Sequence, residues 1–234
     1  MKTESRKASL SRYFNYESLT QAQLSSYEEN GYLVIPSVFT EEGLLEMREQ
    51  CVSAWTKEKG EYDPKGSWLQ NALLTNAHHH SQLLRDYYFE GPIVDIAEQI
   101  IGPNIKGATS QLTFKMRGNT KPFGWHQDNG YGELEPYNAL TCLTALEDND
   151  LENGCLWILP GSHKQGQIRV ERTEEERKKG GEVVVEVDEA TDAKAIPLPM
   201  KAGDALIFGC WTLHKSDGNF SKDRDRRVIF LRYA

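Results

Sequence analysis

No stretch of this 234-residue chain approaches the run of about 18 apolar residues that a membrane-crossing helix requires. Residues 1–7 are polar and lack the apolar core of a secretory signal. These two absences set the expectation of a cytoplasmic protein with no membrane partner. Cysteine is scarce. Cys51, Cys142, Cys155 and Cys210 form no CxxC pair, which excludes a zinc knuckle or a thioredoxin-type motif. In a reducing compartment they read as small buried hydrophobes. Positive charge is also short, with 27 Lys and Arg against 35 Asp and Glu and a net charge of −8, which argues against nucleic-acid binding. Repeats and low-complexity tracts are lacking. What is present, 38% hydrophobic and 26% charged residues, is the composition of an ordinary globular domain. The length allows a substantial core.

Residues 1–17 are polar and unpatterned and read as a mobile arm, leaving 18–234 as one domain. Thr20 is placed to cap a helix ending before Gly31, and Tyr32 to Ile35 reads as a strand closed by Pro36. Thr40, followed by Glu41 and Glu42, opens a second helix with Leu44, Met47, Cys51 and Trp55 at helical spacing, ended by Gly60. Pro92 opens a third, through Ile101. From about residue 104 the pattern changes to strands, at 105–116, 138–147, 155–159, 182–187, 204–209 and 227–233. Helices followed by many short strands indicate an α+β, mainly β fold: a closed or double-sheet antiparallel barrel such as a jelly roll. Residues 161–200 interrupt the strands with a highly charged piece at 171–179, a solvated insertion or a lid over the site.

Three residues carry the chemistry. His126 and Asp128 lie two apart, and on a strand i and i+2 share a face. His214 follows a turn and an apolar strand, 88 residues beyond His126. Two imidazoles and a carboxylate hold one face of an octahedral ion and leave the other open, the arrangement of non-haem Fe(II) oxygenases. His-x-Asp alone is weak, since chance gives roughly 0.3 such pairs in a chain of this composition. Read alone, Asp128 is equally a turn residue before Asn129-Gly130. Arg226, at the start of the last strand, could clamp a dicarboxylate through its planar fork, and Ser216 could add a hydroxyl. Arg224, Arg227 and Arg232 crowd the same region. His78, His79 and His80 point in different directions in any regular element and read as surface or pocket-rim residues.

The order of motifs resembles that of the phytanoyl-CoA dioxygenase family of Fe(II)/2-oxoglutarate oxygenases. The matching stretches are Gly31 to Pro36, Trp125-His126-Gln127-Asp128, Asn153 to His163, Gly203-Asp204 to Ser216, and Arg226-Arg227 to Tyr233. The resemblance covers about residues 30–234. It implies a double-stranded β-helix, a jelly-roll and cupin-like core with supporting N-terminal helices. It implies that His126, Asp128 and His214 bind iron, and that Arg226 pairs with the distal carboxylate of 2-oxoglutarate with help from Ser216. Gln127 and Lys115 fall where members contact co-substrate or substrate. The family's arginine usually stands eleven residues beyond the distal histidine, where this chain has Asp225. Arg226 is aligned by the Arg-Arg-apolar run, with a one-residue insertion. Leu143 replaces an aromatic found in some members. His163 belongs to a recurring structural turn, and Trp157 and Phe208 read as core.

The implied reaction uses Fe(II), 2-oxoglutarate and O2 and releases succinate and CO2 while oxidising an unactivated C–H bond. An aspartate at position 128, where related halogenases have a small residue, favours hydroxylation and leaves desaturation or ring formation open. Two other readings share the scaffold: a non-oxidative cupin-like metalloprotein, against which Arg226 weighs, and a non-catalytic binding domain, against which the intact triad weighs. Acidic residues at 130–135 and 171–176 favour a small or medium-sized free metabolite over an acyl-CoA.

Overall fold

The computed structural model describes residues 2–63, 65–66, 68–128, 138–170, 174 and 183–234. Two antiparallel sheets face each other. The larger holds β1 (Tyr32–Ile35), β2 (Leu73–Thr75), β3 (Gly107–Lys115), β5 (Leu140–Ala145), β8 (Ala205–Gly209) and β10 (Arg226–Tyr233), in the order β1-β8-β5-β10-β3-β2. The smaller holds β4 (Phe123–His126), β6 (Leu156–Ile158), β7 (Ile196–Leu198) and β9 (His214–Ser216), in the order β4-β9-β6-β7. This is the jelly-roll core anticipated from the strand pattern.

Alternation along β10 explains the layering. Ile229, Leu231 and Tyr233 face outward onto helices α3 (Glu41–Glu58), α5 (Gln82–Glu90) and α6 (Pro92–Ile101), among Met47, Trp55, Tyr87 and Ile96. Val228 and Phe230 face inward, packing with Leu143, Leu206, Phe208, Leu156 and Ile158 between the sheets. β5 is the most central strand, and all six of its residues are buried. Covering on both faces removes the polar alternation that marks a half-exposed strand.

Helix α2 (Gln21–Asn30) starts at a Thr20–Gln23 capping box and ends at Gly31, whose φ of 81° is the left-handed conformation such a cap requires. Thr40 caps α3 as expected. Pro92 stands at the first turn of α6.

Several expectations are corrected. The segment read as a mobile arm is docked instead. Lys2–Leu10 forms α1, Arg6 pairs with Asp86 at 2.5 Å and Lys7 with Asp95 at 2.6 Å, and Phe14 is 1% exposed. A few apolar anchors in a polar stretch suffice because they enter an existing core. Tyr13 crosses α3 so closely that a Cβ on Gly43 would lie 1.9 Å from its carbonyl oxygen. Residues 183–187 are in no named strand, although Val185 N donates to the Trp125 carbonyl at 2.6 Å. β7 joins the smaller sheet, so residues 196–198 belong to the barrel and not to an insertion. Helix α4 (Trp68–Ala72), α5 and the short strands β2, β4, β7 and β9 were not separately anticipated. The last helix, α7 (Glu189–Asp192), lies beyond the charged piece at 171–179, of which only residue 174 is among the described residues.

Candidate metal centre

The smaller sheet brings the two halves of the motif together. His126 is the last residue of β4 and pairs in register with His214, the first of β9, across an irregularity in the ladder. Asp128 lies two residues past the end of β4, in a turn rather than on the strand as anticipated. One ligand atom from each of His126, Asp128 and His214 lies within 4.8 Å of the others, and all three residues are enclosed. Asp128 Oδ1 stands 3.8 Å from His126 Nε2 and 3.6 Å from His214 Nε2. These separations exceed a hydrogen bond and leave room for an ion bonded at about 2 Å to each.

The backbone sets the tautomers. His126 Nδ1 donates to the Gly124 carbonyl at 2.8 Å, and His214 Nδ1 to the Thr212 carbonyl at 3.0 Å. A carbonyl only accepts, so each Nδ1 carries the proton and each Nε2 offers a lone pair toward the other two groups. Burial, then the neighbouring charge of His214, pushes His126 down to about 3 against the pull of Asp128, so it is neutral near pH 7. Burial alone would raise Asp128. The pull of His214, with Arg232 and His126 behind it, outweighs burial and holds the carboxyl well below the ordinary range. Two imidazoles and a carboxylate thus converge, a donor set that fits Fe(II). Thr141 of β5 donates its hydroxyl to Asp128 Oδ2, which fixes the carboxylate plane. Sequence reasoning missed Thr141, because nothing local links position 141 to position 128.

Arg226 opens β10 opposite Lys115 on β3, on the inner face. It is 4% exposed, and burial pulls its guanidinium down to about 10. Its hydrogen bond goes to the Gly154 carbonyl at 3.2 Å, and among the described residues no carboxylate pairs with it. A desolvated cation in that condition fits an anionic ligand. Lys115 Nζ donates to Ser216 Oγ at 2.8 Å, to the Ser216 carbonyl at 3.2 Å and to the Asp217 carbonyl. Lys115 therefore braces β9 and orients the Ser216 hydroxyl. The structure gives Gln127 a different task from the anticipated co-substrate contact. Its amide donates to the Gly166 carbonyl at 2.8 Å and the Trp211 carbonyl at 2.7 Å, and accepts from Ile168 N at 2.8 Å. Both of its N–H donors are used.

The remaining candidates lie apart. His78, His79 and His80 line a surface cavity of about 350 Å³ with Ser81, Gln82 and Arg85. His163 Nε2 meets the Glu28 carbonyl at 3.1 Å, away from the triad. Phe208 is core, with its ring 4.5 Å from that of His214. Trp157 lies on the outer side of the smaller sheet, under Lys215. The acidic rim at 130–135 and most of 171–176 fall outside the described residues.

Comparison with known proteins agrees with this geometry. A family model described as phytanoyl-CoA dioxygenase matches residues 27–228. Methylphosphonate hydroxylase of Gimesia maris is 28% identical over 92% of this chain and 81% of its own length. Ectoine dioxygenase of Bordetella parapertussis is 25% identical over 93% of this chain and 76% of its own. Among solved structures, a non-heme alpha-ketoglutarate-dependent carbocyclase from nogalamycin biosynthesis superposes with a TM-score of 0.75 and 25% identity. The match covers 92% of this chain and 84% of that one.

Proposed function

This chain belongs to the phytanoyl-CoA dioxygenase family of iron- and 2-oxoglutarate-dependent oxygenases, and we propose that it hydroxylates an unactivated C–H bond of a small or medium-sized metabolite. In this reading His126, Asp128 and His214 hold Fe(II), and Arg226, assisted by Ser216, receives the distal carboxylate of 2-oxoglutarate. The observation that carries it is the buried convergence of the triad, with both Nε2 lone pairs left available.

When bound, iron and 2-oxoglutarate would supply the oxidising chemistry: 2-oxoglutarate is decarboxylated to succinate and CO2 at the expense of O2, one oxygen atom of which enters succinate and the other the substrate. The protein's own part is positional. The Gly124 and Thr212 carbonyls hold His126 and His214 by Nδ1, with Nε2 of each turned to the centre. Asp128, oriented by Thr141, contributes the anionic donor and fills the position that a halide would need, which favours hydroxylation. Arg226 sets the reach of the co-substrate, because its fork binds a carboxylate in one plane. The inner apolar residues Leu143, Phe208 and Phe230 keep bulk water from the centre.

Of the insertion or lid read at 161–200, the described residues 166, 168 and 185 are tied to the residues flanking His126: Gly166 and Ile168 to Gln127, and Val185 to Trp125. We assign these described parts a covering role over the centre.

The test is Asp128→Ala. The expected result is loss of iron binding and of 2-oxoglutarate turnover, with circular dichroism and thermal unfolding close to wild type. Turnover near the wild-type rate in this variant would overturn the assignment.

A further inference from the structure

The two imidazoles of the metal centre stand on strands that hold each other weakly. β4 is an edge strand of four residues, and β9 has three. Their ladder carries two register pairs, Phe123 with Ser216 and His126 with His214. Three steps along β4 therefore match two along β9, and a bulge of this kind disrupts the ladder locally. A functional site tolerates ligand displacements of only about 0.5 Å. The spacing of His126 and His214 thus calls for a tie beyond the ladder.

That tie lies on the other face of the sheet. Trp125, next to His126, packs in a separate apolar cluster with Leu159, Val185 and Leu213. Lys215, next to His214, stands with its Nζ 4.8 Å from the Trp125 ring and 5.7 Å from that of Trp157, its register partner on β6. Asp192 of α7 reaches both. Its Oδ1 accepts from Trp125 Nε1 at 2.7 Å and from Lys215 Nζ. One carboxylate oxygen therefore joins the residue before one histidine of the triad to the residue after the other.

Asp192 is itself held in place. Asp188 caps α7 by accepting from Thr191 N at 2.7 Å. Ala195 N donates to the Asp192 carbonyl at 3.0 Å, immediately before β7 begins at Ile196. β7 belongs to the same sheet, so the carboxylate is anchored in the structure that it braces. Upstream, Val185 N donates to the Trp125 carbonyl at 2.6 Å, and a Cβ on Gly124 would stand 3.0 Å from Val184. Contacts from outside the sheet thus bear on both residues of β4 that precede His126.

We propose that Asp192 is a positioning residue of the metal centre: gripping Trp125 and Lys215 from the outer face, it holds β4 and β9 at the spacing at which His126 and His214 share one ion. The inference rests on the reading of His126, Asp128 and His214 as iron ligands. Asp192 acts through the neighbours of the two histidines and touches neither metal nor substrate.

The experiment titrates Fe(II), and separately Co(II), anaerobically into the metal-free protein. The chains compared are wild type, Asp192→Ala, Asp192→Asn, Lys215→Met and the double variant of Asp192→Ala with Lys215→Met. Calorimetry reads affinity, and the visible absorption bands of Co(II) read ligand geometry. Asp192→Ala is expected to weaken Fe(II) binding about three- to tenfold, below the 10- to 100-fold typical of a group bonded to the ligand itself, and to shift the Co(II) bands. Asp192→Asn keeps an acceptor for Trp125 and loses the ion pair, so it should fall between wild type and Asp192→Ala. The double variant should lose little more than Asp192→Ala alone, because both changes open the same clamp. The Asp192 side chain is 44% exposed, and an ion pair so exposed adds little to global stability. Thermal unfolding of the metal-free variants should therefore stay close to wild type, which separates positioning from folding. Wild-type affinity with unchanged Co(II) bands in Asp192→Ala would overturn the proposal, as would single losses that add in full in the double variant. A wild-type chain that takes up no metal would overturn the triad reading and the proposal with it, and is seen before any variant is compared.

Discussion

Four arginines crowd the end of this chain, and their partners separate them. Arg224 is engaged by Asp150 and Glu152, and Arg227 by Glu147 and Asp225. Arg226 is enclosed, with a carbonyl as its neighbour. Arg226→Ala is therefore expected to weaken 2-oxoglutarate binding by about 2–5 kcal/mol, and Arg224→Ala or Arg227→Ala by less than about 1 kcal/mol, measured by calorimetry. A larger effect at Arg224 would refute the one-residue insertion. Thr141→Val removes the hydroxyl that fixes Asp128, and metal affinity should drop about 10- to 100-fold while the isosteric side chain preserves packing. His126 gives a pH dependence in the metal-free protein. Its folded pKa lies below the unfolded value of 6.5, so the unfolded chain binds the extra proton. Its contribution therefore makes stability fall as pH drops below about 6.5, toward its folded value. Proton uptake on unfolding between pH 5 and 7, followed by calorimetry in buffers of different ionisation enthalpy, should shrink in His126→Gln. At this scale the sequence was most legible: His126, Asp128 and His214, singled out by residue type, do converge in the structure, because ligand chemistry restricts residue type. Thr141 was not singled out, because its contact with Asp128 comes only from the fold.

Among the elements, long strands and capped helices were readable, while of the short strands β1 and β6 were read and β2, β4, β7 and β9 were not. β3, β5, β8 and β10 carry enough apolar residues to declare themselves. β4 and β9 are four and three residues long and mix Gly, His and Lys, so no alternation survives in them. The site is built on just these two strands, which is why its geometry needed coordinates although its residues did not. α5 had a signal that was overlooked: Ser81 caps it, and Leu83, Leu84, Tyr87 and Tyr88 supply its buried face. The N-terminal segment illustrates the opposite problem, since docking onto a completed core leaves little periodic trace. Phe14→Ala should cost about 3–5 kcal/mol in urea unfolding, the range for a fully buried aromatic. A cost under 1 kcal/mol would restore the picture of a mobile arm. Gly43→Ala should destabilise through the same contact, because a methyl group there meets the Tyr13 backbone.

At the scale of the whole molecule, all four cysteines are buried and none is in a disulfide. Burial pushes Cys51, Cys142, Cys155 and Cys210 upward, so none is thiolate at neutral pH. The native protein should therefore react with a thiol reagent only at its rate of opening, and all four thiols should appear together on unfolding. Fast reaction of any one of them in native buffer would contradict the burial. No helix among the described residues is long and apolar enough to cross a membrane. The desolvated guanidinium of Arg226 has a further consequence. Among the described residues no carboxylate stands beside it, so the barrel carries a cation stripped of water, a cost that 2-oxoglutarate would relieve on docking as proposed. Binding to the folded state alone raises stability with ligand concentration. The persistence of this polypeptide should thus follow the supply of 2-oxoglutarate. In a cell depleted of that keto acid, the chain itself would be degraded sooner, and its abundance would report on carbon metabolism before its catalysis did.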